Sequence, residues 1–443
     1  MVLRLVFVRH GLSSFNKKGI VQGRSDDSYL TEEGYEQATS AGKVLNNICF
    51  DKIYSSPLIR ASETAKTIEK HLNKNHEINL DKNLLEVNLE KWSGLTIDEI
   101  KNQYPDDYKN WKNDPENLIL KNKLNINYHP IKDLYIQAKE FIDNLISIYK
   151  EDDDKEKNVL IIAHNAILRC LILYLIKRPQ KGFRKLKLDN ASISIINISK
   201  TKDSYKTQIE CINQTSHLGK NIPSKIGNSR IIIVRHGETD WNMEGRFQGQ
   251  IDIPLNKNGK IQAKQASEYL KDIKFNKAYS SSMSRPFETA KIILGKKDLK
   301  INKIDNLVEI SHGLWEGKLE KEIKDKWPEL LNSWHEKPES VIMPEGESIK
   351  DVAKRSISAW ESICKSQKDN DVTLLVAHDA VNKTLICHLL GLAFSNIWMI
   401  KQGNGGITVI DIFNEPNKDN VVSSLNITNH LGSVLDPTAK GAL

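Results

Sequence analysis

The feature that most constrains this chain is an edge that occurs twice. LVFVRHGLSSFN (5–16) and IIIVRHGETDWN (231–242) are each an apolar run that stops at Arg-His-Gly. A short Val/Ile/Leu-rich run of this kind is the pattern of a strand buried on both faces. The echo continues in order. SSPLIRASETA (55–65) answers SSMSRPFETA (281–290), and LLEVNLEKWSG (84–94) answers LVEISHGLWEG (307–317). VLIIAHNA (159–166) answers TLLVAHDA (373–380), and NQTSHLG (213–219) answers NITNHLG (426–432). The spacing between partners shrinks slowly along the chain, as small insertions between two copies of one domain produce. The repeat is half the chain, far longer than the roughly 20–50 residues of a solenoid repeat. Two tandem domains are expected, 1–219 and 230–443, with the polar, Pro- and Gly-containing KNIPSKIGNS (220–229) as linker.

Each copy alternates strands with helices. Ala38, Ala41, Leu45 and Ile48 recur at helical spacing, as do Ala263, Ala266, Leu270 and Ile273. Apolar runs ending at His164 and His378 read as buried strands, each followed by an apolar helix. The alternation indicates an α/β fold, a layered sandwich with a largely parallel sheet. In such sheets functional residues gather beyond the carboxyl ends of the strands, where Arg-His-Gly and Ala-His both fall. EDDDKEK (151–157) reads as a solvated loop with no function.

Composition excludes several classes. The net charge of +7 comes mostly from scattered Lys, and no basic run is interleaved with aromatics, so no nucleic-acid partner is expected. The longest apolar run, Cys170 to Ile176, is too short for a bilayer, which needs about 20 residues, so no membrane association is expected. The N-terminus shows no signal-peptide pattern. Five cysteines, far apart and without a C-x-x-C pair, argue against a disulfide framework and a zinc site. These readings point to a cytoplasmic protein. No H-E-x-x-H, Asp cluster, P-loop or Rossmann fingerprint is present, so neither metal nor nucleotide cofactor is expected.

Each half repeats Arg, His, Arg, Glu, His at turns or strand ends. Two guanidinium forks match phosphate oxygens. A His between them is disfavoured from protonation and keeps a ring nitrogen free for attack near neutral pH. A second His, protonated or donating, stabilises an equatorial phosphoryl oxygen. A Glu at the rim can hand a proton to the leaving alkoxide and take one from water. Phosphoryl transfer needs mainly positioning and charge compensation, and this set supplies both.

R-H-G-E-T-x-W-N, then S-S-x-x-x-R-x-x-x-T-A, then L-x-E, then A-H, in that order and twice, resembles the histidine phosphatase superfamily in its phosphoglycerate mutase-like branch. The resemblance covers nearly the whole chain. It implies two tandem phosphoglycerate mutase-like domains, each a three-layer α/β/α sandwich. It implies His10 and His236 as nucleophiles that become phosphohistidine, and Glu86 and Glu309 as proton donors. Arg9, Arg60 and His164 would hold phosphate in the first half, as Arg235, Arg285 and His378 would in the second. Asn16 and Asn242 would also donate to phosphate. Gln22-Gly23 and Gln248-Gly249 sit where the family brings backbone close to substrate. His217 and His430, in matched segments, read as parts of a structural terminal strand, and Trp92 and Trp315 as packing residues.

The halves differ. Leu12 and Ser13 stand where the second half has Glu238 and Thr239, and NYHPIKDL (127–134) replaces the Gly-Glu-Ser element of MPEGESIKDV (343–352). Ser13 can still offer a hydroxyl to phosphate; Leu12 cannot offer a carboxylate. Neither WSGLTIDEIKNQYP (92–105) nor WEGKLEKEIKDKWP (315–328) resembles the segment that follows the catalytic Glu in mutases, which favours hydrolysis. The expected partner is a small phosphorylated metabolite, with α-ribazole 5′-phosphate and 2-carboxy-D-arabinitol 1-phosphate as the candidates the resemblance implies. Two alternatives stand beside it: a mutase-like phosphotransferase, and a first domain that binds phosphorylated ligands without turnover. The oligomeric state is not legible in the sequence; duplication allows the two copies to form an intramolecular pseudo-dimer.

Overall fold

The structure, a computed structural model, describes residues 2–149, 156–178, 182–201, 204–415 and 418–438. Residues 151–155 of EDDDKEK lie outside the described residues, and its last two open the strand Glu156–Ala163. Tertiary contacts divide the chain into two units, Met1–Lys220 and Asn221–Leu443. Most of the stretch read as a linker belongs with the second unit: Arg230 donates to the Pro223 carbonyl at 2.6 Å, and the Asp411 carboxylate accepts the Ile226 amide at 3.2 Å.

In the first unit the strand order is Tyr205–Gln214, Ile193–Lys200, Val2–Arg9, Glu156–Ala163, Lys52–Ser55, Ile78–Leu80. The last four are parallel, and the first two complete the sheet antiparallel. The second unit repeats this with Val421–Ile427, Ile407–Ile412, Ser229–Arg235, Val372–Ala377, Lys277–Ser281 and Ile301–Ile304, again four parallel and two antiparallel. Successive strand side chains point to opposite faces. Leu5, Val6, Phe7 and Val8 are all buried, as are Ile231 through Val234, so both faces of each sheet are covered. The covering layers in the first unit are two helix pairs, Glu32–Leu45 with Ile59–Glu69 and Pro130–Ile148 with Asn165–Leu175. Ala38, Ala41 and Leu45 form the buried stripe of the first of these helices, whereas Ile48 packs beyond its end. No helix among the described residues is long and apolar enough to cross a membrane.

The topology assembles each site. Val2–Arg9 runs parallel to Glu156–Ala163 with Arg9 level with Ala163, so the Arg-His and Ala-His edges end side by side. The His10 amide donates to the Ala163 carbonyl at 2.9 Å, and the His236 amide to that of Ala377 at 3.0 Å. Beyond the first edge, Ser13 or Thr239 caps a one-turn helix closed by Gly19 or Gly245 in the left-handed conformation. This short helix carries Asn16 or Asn242 back over the histidine.

Candidate active site

In the first unit Arg9, His10, Asn16, Gln22, Gly23, Arg60 and Glu86 line one cavity of about 210 Å³, and the His164 ring lies tilted against that of His10, at 5.1 Å between centroids. His236 and His378 stand 5.2 Å apart in the second unit. His10 Nδ1 lies 2.7 Å from the Gly11 carbonyl and His236 Nδ1 2.7 Å from that of Gly237. A carbonyl only accepts, so Nδ1 carries the proton and Nε2 keeps its lone pair. Burial, then the adjacent guanidiniums of Arg60 and Arg9, push His10 well below the ordinary histidine range. Burial, Arg285 and Arg235 do the same to His236. His164 and His378 are also driven well below that range, burial first. Of the two forms expected for the second histidine, the structure favours the neutral one, with Nε2 bonded to Ser56 Oγ at 2.8 Å or Ser281 Oγ at 2.9 Å.

The arginines are fixed from behind. Arg60 donates to the carbonyls of Gly23 and Ser25, both at 2.9 Å, and Arg285 to those of Gly249 at 2.8 Å and Ile251 at 3.2 Å. Gly23 and Gly249 make this possible by adopting φ of 51° and 55°. Arg9 donates to the Leu188 carbonyl at 2.8 Å and Arg235 to that of Gln402 at 2.6 Å. In all four the Nε is buried without a hydrogen-bond partner, as is Gln248 Nε2. Buried donors are normally satisfied, so these nitrogens leave hydrogen-bonding capacity at the site for an oxyanion.

Each glutamate sits across the cavity, at the N-terminus of the helix that follows the second histidine. Glu86 Oε1 accepts the amides of Val87 at 2.9 Å, Ala166 at 3.1 Å and Ile167 at 3.2 Å. Glu309 accepts Ile310 and Asp379 amides, both at 3.0 Å. Burial, and then the Asp379 carboxylate, raise the Glu309 carboxyl above its ordinary range.

The profile of the histidine phosphatase superfamily (branch 1) matches residues 5–210 and 231–426. The chain belongs to the histidine phosphatase superfamily. A 2-carboxy-D-arabinitol-1-phosphatase of Triticum aestivum is 27% identical over 99% of this chain and 88% of its own length. Phosphoserine phosphatase 1 of Hydrogenobacter thermophilus is 36% identical over 46% of this chain and 94% of its own. The adenosylcobalamin/alpha-ribazole phosphatase of Escherichia coli is 26% identical over 41% of this chain and 90% of its own. The chain is a phosphatase.

Superfamily membership came from residues near one another in sequence; the structure adds others. Asn190 donates to Asn16 Oδ1 at 3.1 Å and to the His10 carbonyl at 3.0 Å, and Asn404 does the same to Asn242 and His236 at 3.3 and 3.2 Å. Thr64 and Thr289 accept the amides of Gly11 and Gly237 at 3.0 and 3.1 Å. Thr64, Thr289, Ser56 and Ser281 lie inside matched segments, so the repeat itself was a signal; Asn190 and Asn404 lie between segments. His217 and His430 contact the carbonyls of Ala191 and Gly405 at 2.9 and 3.0 Å, bracing the turns that carry these asparagines. Trp92 and Trp315 are fully buried.

The divergence at residues 12 and 13 has less consequence than the sequence suggests. Glu238 accepts from the Asn256 amide group at 3.0 Å, part of the next helix start. Ser13 and Thr239 both cap the short helix and donate to Gln22 or Gln248, at 2.9 and 3.0 Å. Both hydroxyls are thus engaged within the protein in the same way. The missing Gly-Glu-Ser element is compensated as well. Glu347 and Arg355 brace the Glu309 loop in the second unit, where Arg355 donates to the Glu309 carbonyl at 2.9 Å. In the first unit Arg24 takes the Glu86 carbonyl at 2.9 Å and Gln137 the Leu85 carbonyl at 2.8 Å.

Proposed function

We propose that each unit hydrolyses a small phosphomonoester through a phosphohistidine, with His10 and His236 as nucleophiles. The observation that carries this reading is the neutral imidazole whose Nδ1 proton is held by the next residue's carbonyl at 2.7 Å in both units. Nε2 is thereby the attacking atom, and two fixed guanidiniums flank it. In the first step Nε2 bonds to phosphorus as the ester P–O bond breaks, and Glu86 or Glu309 gives its proton to the departing alkoxide. In the second, water attacks the phosphohistidine, the glutamate takes a proton back, and phosphate leaves. Arginines 9 and 60, or 235 and 285, carry the equatorial charge, and Asn16 or Asn242 adds a donor from the amide nitrogen its neighbours leave unused. Its raised proton affinity suits Glu309 to the acid role. The first unit carries the same pinned histidine, arginine pair and glutamate, which favours turnover over binding alone.

The substrates to try first follow the relatives. 2-Carboxy-D-arabinitol 1-phosphate comes from the wheat protein, which aligns across both units, and α-ribazole 5′-phosphate from the E. coli protein, which aligns with one. The test is phosphate release in the presence of EDTA by the wild type, His10→Ala and His236→Ala, together with trapping of acid-labile, alkali-stable phosphoprotein. Each substitution should abolish one activity and its phosphoprotein. Undiminished release by both variants would refute the nucleophile assignment, and label moving to another position of the substrate without phosphate release would establish the phosphotransferase alternative.

A further inference from the structure

The two sites differ at three aligned positions. Asn165, Arg169 and Arg184 of the first unit correspond to Asp379, Lys383 and Trp398 of the second. Arg169 and Arg184 line the same cavity as Arg9, His10 and Arg60. Neither is spent on a carboxylate. Arg169 donates to the Phe183 carbonyl at 3.3 Å and packs over the Phe183 ring at 5.3 Å. Arg184 lies over the Trp111 ring at 4.9 Å and donates to the Trp111 carbonyl. Glu116, the acid nearest Arg184, uses its Oε1 on the amides of Gly182 and Phe183, at 3.3 and 3.1 Å. The Nε of both arginines is buried without a partner. Burial and mutual repulsion with Arg184 and Arg9 lower Arg169 to about 9, so it remains charged at neutral pH.

The second unit neutralises the same region. Asp379 lies 2.7 Å from Lys383 and 3.5 Å from Arg235, and Lys383 packs over Trp398 at 5.2 Å. Four guanidiniums stand with Glu86 and, beside Arg184, Glu116 in the first unit, whereas in the second three cations stand with Glu309 and Asp379, the latter in direct contact with Lys383. A phosphate engages Arg9 and Arg60, which leaves Arg169 and Arg184, neither paired directly with a carboxylate, to meet a second anion. Guanidiniums backed by aromatic rings are well suited to a planar or tetrahedral oxyanion. A cavity of about 210 Å³ admits only a short spacer between the two anions.

Resting on the phosphomonoesterase reading of that cavity, we infer that Arg169 and Arg184 form a second-anion subsite, so that the first unit selects short phosphomonoesters bearing a carboxylate or second phosphate, whereas the second unit does not.

The test uses the full chain carrying His236→Ala, so that the first unit alone reports. Probes are 3-phosphoglycerate for the carboxylate, ribose 1,5-bisphosphate for the second phosphate, and glycerol 3-phosphate as the control with neither. Arg169→Gln and Arg184→Gln should each lower kcat/KM for the anionic probes about 10- to 100-fold, mainly through KM, and leave glycerol 3-phosphate within about threefold. The probe that loses more identifies the second anion. Equal loss on all three probes by both variants, or no loss on any, would overturn the subsite. If the His236→Ala protein releases phosphate from none of them, the same comparison is made by calorimetric binding. Selective weakening of 3-phosphoglycerate over glycerol 3-phosphate would then uphold the subsite while the catalytic reading of the first unit fails.

Discussion

Thr289 offers a direct probe of how the Arg-His-Gly edge is held. It lies in the helix Ser284–Leu294, one turn beyond Arg285, and is fully buried. Its Oγ1 donates to the Arg285 carbonyl at 2.8 Å and accepts the Gly237 amide at 3.1 Å. That amide belongs to the glycine whose carbonyl holds His236 Nδ1. Thr289→Val keeps the volume and removes only the hydroxyl, so no cavity opens. It leaves the Gly237 N–H buried without an acceptor, a cost of about 1–3 kcal/mol. For a unit of this size each kcal/mol moves the melting temperature by about 2–4 °C, so the second unit should melt about 2–12 °C lower. Rotation of the His236–Gly237 peptide to find a new acceptor would pull the His236 carbonyl from Asn404 and shift Gly237, whose own carbonyl holds His236 Nδ1, so that Nε2 is misplaced. Activity of the second site, read in a His10→Ala background, should therefore fall about 10- to 100-fold. Scanning calorimetry and phosphate release are the assays, and Thr289→Ser, which keeps the hydroxyl, is the control. A valine variant that melts within 1 °C of wild type and retains full activity would refute the reasoning.

Two further outcomes follow from buried charge. His217 and His430 are lowered to about 4 by burial, so the unfolded chain binds more protons than the folded one below the ordinary value of 6.5. Stability should therefore fall as pH drops from 6.5 towards 4, by on the order of 3 kcal/mol per histidine over the full window, and His430→Gln should flatten the melting temperature's dependence on pH; an unchanged slope would contradict it. Asp379→Ala strands the buried Lys383 ammonium and should cost about 3–5 kcal/mol, whereas Asp379→Asn with Lys383→Met should recover most of that in urea unfolding. Equal losses in the single and double variants would show that the ion pair is not the cause.

The parts of the site legible in the sequence are those whose chemistry travels with a local pattern. Arg9-His10 and Arg235-His236 follow an apolar run, Arg60 and Arg285 open a helix after a Ser-Ser turn, and His164 and His378 end another apolar run. Periodicity places each on a strand end or helix start without knowledge of its neighbours. Where a residue's partner is remote in sequence, the reading fails. Glu238 looks like a site carboxylate until its bond to Asn256 is visible, which makes Leu12 appear a graver loss than it is.

The sequence alone therefore determined that one α/β phosphatase domain occurs twice and which histidines and arginines meet at each strand edge, because duplication and strand-to-helix punctuation are written in consecutive residues. Tertiary structure decided what each cavity is electrostatically. Arg169 and Arg184 face His10 only because a helix and the chain beyond it return to the same strand ends, and Arg235 meets a carboxylate only because the helix that starts at Asp379 brings that residue to 3.5 Å from it. Net charge in a cavity is a sum over side chains brought together by packing, and no window of sequence contains it.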